Sequence, residues 1–269
     1  MAFARKVLWI VNMTKPEDEA AFLDHANNAG IDTVCIRTSS DRLPDAIGRF
    51  HQARKTVWAW KWPGVMPQDT DHHYYAIAEA EYVRDKLLPK GLDGYIVDPE
   101  SDGHVDSNGR PQRNDWDQTK LAPVAAEFCK IINDAAPANF MFGTTSGCTY
   151  PAPTGKPDIP WKQFFGASKT LYPQSYWRAM LVNENTGGEE PTPINGGTPT
   201  KAIARGMHAW TAAAQGKPIV PMAGEIDLVT AAEIEEYGQQ LTNLGLTEAH
   251  FYADLPNVPA SVLNAIKAL

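Results

Sequence analysis

The chain alternates short apolar segments with longer amphipathic segments from one end to the other. About eight such pairs follow one another, and the composition does not change between them. Alternation of strand and helix predicts a parallel sheet, because each helix carries the chain back to the same edge. Eight units in one chain of 269 residues predict a single-domain α/β fold, a (β/α)8 TIM barrel spanning residues 1–269. A doubly wound open sheet is the alternative, although neither a GxGxxG motif after the first strand nor a P-loop is present.

The boundaries of the predicted elements come from apolar periodicity and from glycine and proline positions. Strands are predicted at residues 6–12, 31–38, 56–62, 91–98, 139–144, 169–176, 218–223 and 249–254. Helices are predicted at residues 16–30, 41–54, 71–88, 117–135, 161–166, 200–215, 230–244 and 260–268.

The predicted loops are asymmetric in length. Connections from a helix to the next strand are short, whereas residues 100–116, 145–160 and 177–199 form long connections from a strand to the next helix. Barrel enzymes carry their sites on the loops that follow the strands, so the long loops predict the functional face. The third long loop is rich in glycine, proline and acidic residues, which predicts a mobile lid or a surface loop without function.

Composition excludes several classes of function. The net charge of −8 argues against a protein that tracks nucleic-acid phosphates, and it gives no support for docking on anionic membranes. The apolar run at residues 7–13 is too short to span a bilayer and lacks the cleavage pattern of a signal peptide. We therefore expect a cytoplasmic protein or one released by another route. The widely spaced Cys35, Cys129 and Cys148 predict reduced, unreactive thiols.

The strongest chemical signal is a pair of carboxylates after the fourth predicted strand. Asp98 and Glu100 follow the apolar segment 95–97, and residues two apart in a strand face the same side. Pro99 should end the strand and place both side chains at its rim. Two adjacent carboxylates raise the pKa of one of them, and a protonated acid beside an ionised partner suits glycosidic bond cleavage. A solvated loop is the alternative interpretation.

Amide, aromatic and acidic side chains also stand at the other predicted strand ends. Aromatic rings stack on sugar rings, and amides and carboxylates bind hydroxyl groups, so the set predicts a carbohydrate groove. The predicted sugar-binding residues are Asn12, Trp62, Tyr172, Gln174, Tyr176, Glu225 and Asp254. Trp58 and Trp60 are predicted to lie in the core, and Lys61, which has the opposite parity, to point outward as a solvated charge.

Other catalytic chemistries have little support. There is no HExxH motif, and although Asp102, His104 and Asp106 could join a divalent site, we predict neither a metal nor a cofactor. Ser146 lies outside any GxSxG motif, which argues against a serine hydrolase.

The Asp-x-Glu of Asp98 and Glu100, the later Tyr172 and Gln174, and the last-strand Asp254 together resemble family 25 glycoside hydrolases, the lysozyme-like muramidases. The resemblance implies that Glu100 is the general acid and that Asp98 orients or stabilises the intermediate. The first-strand aspartate of that family is replaced by Asn12, which implies a divergent or inactive member.

The sequence thus predicts a glycosidase acting on an acetamido-sugar polysaccharide, of the peptidoglycan or chitin type, by a retaining, substrate-assisted reaction. Two alternatives stay open at this point. One is a barrel that binds carbohydrate without cleaving it. The other is a different barrel enzyme acting on a small sugar, with or without a metal.

Overall fold

The computed structural model describes residues 2–65, 75–101, 115–182, 187–254 and 256–269. Its strands are β1 (Arg5–Ile10), β2 (Thr33–Arg37), β3 (Thr56–Lys61), β4 (Gly94–Val97), β5 (Met141–Gly147), β6 (Thr170–Gln174), β7 (Arg178–Val182), β8 (Glu189–Pro193), β9 (Met222–Glu225) and β10 (Glu248–Ala253). Eight of them close into a parallel barrel in the order β1-β2-β3-β4-β5-β6-β9-β10, with β10 paired to β1. The prediction of a (β/α)8 barrel is confirmed.

Helices follow the barrel strands. They are α1 (Pro16–Asn28), α2 (Leu43–Gln52), α3 (Tyr75–Tyr82), α4 (Ala122–Ala135), α5 (Trp161–Ala167), α6 (Pro199–Thr211), α7 (Ala231–Asn243) and α8 (Ala260–Ala268). Local sequence explains their starts: α1 opens on a proline followed by acidic residues, and α7 has a capping box between Thr230 and Glu233. No helix in the described part of the chain is long and apolar enough to cross a membrane.

The side chains of the barrel strands divide between two apolar layers. On β1, Val7 and Trp9 face the barrel interior, while Leu8 and Ile10 belong to the larger core shared with the helices. Trp58, Trp60 and Tyr172 complete the aromatic filling of the interior. The prediction that the two tryptophans of β3 are core residues is confirmed.

The long connection after β6 contains regular structure where a loop was predicted. Strands β7 and β8 form an antiparallel pair in which Arg178 lies opposite Pro193. The Arg178 side chain donates two hydrogen bonds to Glu233 Oε1, at 3.1 and 2.8 Å, and thereby ties the hairpin to α7. Residues 183–186 of this connection lie outside the described residues.

Several predicted boundaries move. β5 runs through Gly147, three residues beyond the predicted end, because its polar residues are buried and bonded within the barrel. The helix predicted at 117–135 begins at Ala122, with a proline in its first turn. The strand predicted at 218–223 begins only at Met222, and Ile219 makes an isolated bridge to Leu171.

The three cysteines are free and buried, in agreement with the prediction. Burial raises the pKa of the Cys129 thiol to about 12 and that of the Cys148 thiol to about 11, which keeps both thiols protonated.

Candidate functional site

A cavity of about 230 Å³ lies at the carboxyl ends of the barrel strands. Its lining mixes aromatic rings, carboxylates, an amide and one guanidinium. The lining residues are Trp9, Val11, Arg37, Trp60, Trp62, Asp98, Glu100, Thr145, Gln174, Tyr176, Met222, Glu225 and Tyr252. The long loops after the strands and this cavity share one face of the molecule, as expected for a barrel.

Asp98 and Glu100 both line this cavity and are hydrogen-bonded to each other. β4 ends at Val97, before Pro99, so the chain turns at this point and carries both side chains to the rim. Asp98 is buried, with 4% of its surface exposed, whereas Glu100 is only partly buried. The two carboxylates therefore stand at different depths of one site.

The electrostatics of the pair follow this difference in depth. Burial, the adjacent charge of Glu100 and the hydrogen bond to it raise the pKa of Asp98 well above its usual value, although Arg37 opposes the shift. The sequence predicts a raised pKa for one member of the pair, and in the structure the deeper carboxyl, Asp98, has one. A protonated Asp98 can donate its hydrogen bond to Glu100.

Neighbouring elements fix the turn that carries the pair. The Asp98 amide donates to the Lys61 carbonyl at 2.8 Å, and the buried Ser146 hydroxyl donates to the Pro99 carbonyl at 2.6 Å. Beyond the pair, the Trp116 amide donates to the Glu100 carbonyl at 2.9 Å. These bonds to the main chain give the two carboxylates a defined backbone position.

Gln174 and Tyr176, from the end of β6, lie beside the pair. Gln174 Nε2 donates to Asp98 Oδ1 at 3.1 Å, and both residues line the cavity. The Tyr176 ring packs against that of Tyr252, with 5.6 Å between centroids. Burial and the nearby acidic groups raise the pKa of the Tyr176 hydroxyl well above its usual value, so the hydroxyl stays a proton donor.

Tyr172, predicted to bind sugar, lies one layer deeper than Gln174. It is fully buried in the barrel interior, where its ring centroid is 4.5 Å from that of His250. Its hydroxyl donates to Glu248 Oε1 at 3.1 Å. Tyr172 therefore takes part in barrel packing and does not reach the cavity wall.

Asn12 and Asp254 meet at the same end of the barrel without lining the cavity. Asn12 Nδ2 donates to Asp254 Oδ1 at 2.9 Å. The structure thus brings these two predicted residues together with each other rather than with the carboxylate pair.

Glu225 lines the opposite wall, at the end of β9. Burial and the charges of Asp227 and Asp254 raise the pKa of Glu225 to about 7. Arg37 lines the same cavity, and no ion pair joins these two described residues. Glu225 is therefore a half-buried acid that titrates near neutrality.

Trp62 and Trp60 offer aromatic surface to the cavity. Lys61, between them, points away from the cavity toward Glu79 of α3. The prediction of a solvated charge at Lys61 is wrong: burial lowers the pKa of Lys61, and Glu79 opposes that shift. Glu79 itself accepts hydrogen bonds from Thr38 Oγ1 at 2.6 Å and Tyr95 Oη at 3.2 Å.

The sequence did not indicate a binding role for five polar or aromatic residues of the cavity. These are Trp9, Arg37, Trp60, Thr145 and Tyr252. Each lies in the last residues of its strand, and that position was the available signal. Asp102, His104 and Asp106 lie outside the described residues, and no cluster of three or more metal-binding side chains occurs within those that are described.

No protein-family model matches the sequence, and no curated protein matches it. The fold of this chain is similar to that of several solved structures. The spore cortex-lytic enzyme of Bacillus cereus has a TM-score of 0.66 at 9% identity, with 97% of this chain and 73% of that chain covered. A class V chitinase from Pseudomonas fluorescens has a TM-score of 0.60 at 11% identity, with coverages of 98% and 99%. A GH18 chitinase from Pseudoalteromonas aurantia has a TM-score of 0.57 at 11% identity, with 98% of each chain covered.

Proposed function

We propose that this protein is a glycoside hydrolase that cleaves an acetamido-sugar polysaccharide. The observation that carries the proposal is the hydrogen-bonded Asp98–Glu100 pair in a cavity with aromatic walls. Such a pair can hold a proton beside a bound sugar and deliver it to a leaving group. The fold likeness to enzymes described as chitinases and as a spore cortex-lytic enzyme supports a substrate of this class.

In the proposed reaction the proton held by the Asp98–Glu100 pair passes from Asp98 to Glu100, and Glu100 delivers it to the glycosidic oxygen as the bond from that oxygen to the anomeric carbon breaks. The substrate's own acetamide oxygen attacks the anomeric carbon and forms an oxazolinium-like intermediate. Asp98, which lies deeper, stabilises the positive charge of that intermediate. Glu100, now ionised, takes a proton from water, which attacks the anomeric carbon and restores the acetamide. The route is the substrate-assisted exception to the rule of two carboxylates, and it retains the anomeric configuration.

Gln174 and Tyr176 have supporting roles in this scheme. Gln174, bonded to Asp98, holds that carboxyl in one orientation. The protonated Tyr176 hydroxyl is suited to donate to the acetamide oxygen. Trp62 offers a ring face for a neighbouring sugar.

A carbohydrate-binding barrel without activity is the second candidate. The observation that favours it is the hydrogen bond between Asn12 and Asp254. This bond engages Asp254, the acid of the last strand that resembles a site residue of family 25. Asn12, its partner, replaces the first-strand aspartate of that family. Such a protein would bind glycans, and the Glu100→Gln substitution would change nothing except affinity.

The test is release of reducing ends from peptidoglycan and from chitin. We expect Glu100→Gln to lower the rate by about 10²- to 10⁴-fold, the usual contribution of a general acid. Glu235→Gln, at an exposed position of α7, is the matched control and should keep full activity. Full activity of Glu100→Gln, or glycan binding by the wild type without any turnover, would overturn the hydrolase assignment.

A further inference from the structure

Among the described residues that line the cavity, Arg37 carries the one guanidinium. It is the last residue of β2 and stands beside Trp60 in the register between β2 and β3. Its Cζ lies 5.6 Å from the centroid of the Trp60 ring. The Trp60 indole is itself held in place, because its Nε1 donates to the Ile10 carbonyl at 3.2 Å.

One donor of the Arg37 side chain is buried and unsatisfied. Within the described residues the guanidinium makes no hydrogen bond and no ion pair, and its Nε is buried without a partner. A buried donor that has lost water and found no acceptor costs about 1–3 kcal/mol, and more when it is charged. A protein that keeps such a group in a cavity gains free energy when a ligand supplies the acceptor.

The contact with Trp60 leaves the N–H donors of Arg37 usable. A cation–π contact gives the guanidinium no hydrogen-bond acceptor, so its N–H groups still require one. Two of these N–H groups match the two oxygens of a carboxylate in spacing and direction. Arg37 is therefore suited to donate to a planar anion bound in the cavity.

The cavity is also less negative than its count of carboxylates suggests. Asp98 and Glu100 are joined by a hydrogen bond, so the pair holds a proton and carries less than its full charge. Glu225, on the opposite wall, is half-buried beside other acids and is partly protonated near neutrality. An anionic group beside Arg37 would thus meet limited repulsion.

We propose that Arg37 is a specificity residue that binds a carboxylate carried by the sugar in the cavity. The inference rests on the proposed function for the sugar itself. The ligand it predicts is an acetamido-sugar chain bearing a carboxyl group, either on a lactyl ether, as in muramic acid, or on a uronic acid. A neutral acetamido-sugar chain would leave Arg37 unpartnered and bind more weakly.

The experiment compares the binding of three probes by ligand-observed NMR. The probes are disaccharides of N-acetylglucosamine joined to N-acetylglucosamine, to N-acetylmuramic acid and to glucuronic acid. The proteins are the wild type, Arg37→Met, Arg37→Lys and the control Arg84→Met, which changes an arginine paired with Asp85 outside the barrel. Unfolding curves establish that each variant is folded. If Arg37→Met does not fold, Arg37→Lys is used for the comparison instead.

We expect Arg37→Met to weaken binding of at least one acidic probe by about 10- to 100-fold, as for the loss of a hydrogen bond to a charged group. The neutral probe should change by less than about 2-fold, and Arg37→Lys should lose part of the affinity because it lacks the planar fork. The acidic probe that depends more on Arg37 identifies the source of the carboxylate.

Equal weakening for neutral and acidic probes would overturn the inference, because Arg37 would then act through Asp98 or through cavity shape. Unchanged binding of both acidic probes, or no binding of any probe, would also overturn it. Binding is scored apart from turnover. Arg37-dependent binding without release of reducing ends would therefore refute the proposed hydrolase function and leave the carboxylate site standing.

Discussion

At the scale of single residues, Asp98 and Glu100 differ more than their spacing indicates. A spacing of two residues on a strand predicts that both side chains face the same side, and both do line one cavity. β4 ends at Val97, before both residues, and beyond it Asp98 stays buried while Glu100 is only partly buried. Depth could not be read from the sequence, because it depends on Lys61 and Gln174 of neighbouring strands.

The same limit explains Tyr172. Parity along β6 places Tyr172 and Gln174 on one face, but a barrel interior is filled in layers. Gly143 of β5 leaves the space for the lower layer, since a Cβ there would lie 2.8 Å from the Tyr172 ring. The sequence identified the correct face of β6. It could not show that Tyr172 lies in the packed barrel interior while Gln174 lines the cavity.

Tyr172→Phe tests the placement of this ring. The change removes one hydrogen bond to the buried Glu248, which also accepts from Arg5 and faces His250. We expect a loss of about 1 kcal/mol in the free energy of unfolding, the usual value for one hydrogen bond. Denaturant titration measures this loss. The KM for glycan should stay unchanged, and a raised KM with unchanged stability would place Tyr172 in the sugar site instead.

At the scale of elements, β5 supports the turn that carries Asp98 and Glu100. Its Ser146 hydroxyl is buried and donates to the Pro99 carbonyl, which joins β5 to the residue between the two carboxylates. The sequence showed only that Ser146 lies outside a nucleophile motif. Its partner became visible when the strand proved to extend beyond residue 144.

We predict that Ser146→Ala lowers the free energy of unfolding by about 1–3 kcal/mol, because the Pro99 carbonyl loses its donor in a buried position. The turn that carries Asp98 and Glu100 should become less rigid, so kcat should fall while KM changes little. Thermal unfolding and steady-state kinetics measure both effects. Unchanged kcat in a destabilised variant would show that the turn is fixed by its other bonds.

Strands and helices were predicted well where apolar periodicity was strong, as in β1 to β4. The hairpin of β7 and β8 was not predicted, because most of its residues are exposed and β8 consists largely of proline and acidic residues. Its register depends on pairing between two such segments and on the Arg178–Glu233 contact, neither of which has a local sequence signal.

At the scale of the whole molecule, the raised pKa of Glu225 links stability to pH. The folded carboxyl titrates near 7, whereas its ordinary value is 4.5. Between those values the folded state holds a proton that the unfolded state has lost. The free energy of unfolding should therefore fall as pH rises across that interval, and Asp98 and Asp227, whose pKa values are also raised, act in the same direction.

Urea titrations of the wild type and of Glu225→Gln across this interval test the link. The glutamine cannot ionise, so the fall in stability with pH should be shallower in the variant. Identical pH dependence in both proteins would show that Glu225 does not titrate differently in the folded and unfolded states.

The barrel itself was predictable because alternation, loop lengths and strand ends all indicate the same topology. The sequence also predicted that Asp98 and Glu100 lie together at the strand ends, and both line the cavity there. The sequence did not predict a binding role for Arg37, because the evidence for that role is a buried Nε without a partner among the described residues. Only the arrangement of the surrounding strands reveals that.

The central claim is that the Asp98–Glu100 pair hydrolyses an acetamido sugar with help from the acetamide. Proton NMR of the first product formed from a soluble acetamido oligosaccharide tests it most directly. We predict that the new reducing end appears first in the same anomeric configuration as the bond that was cleaved. Appearance of the opposite anomer first, or no product at all, would contradict it.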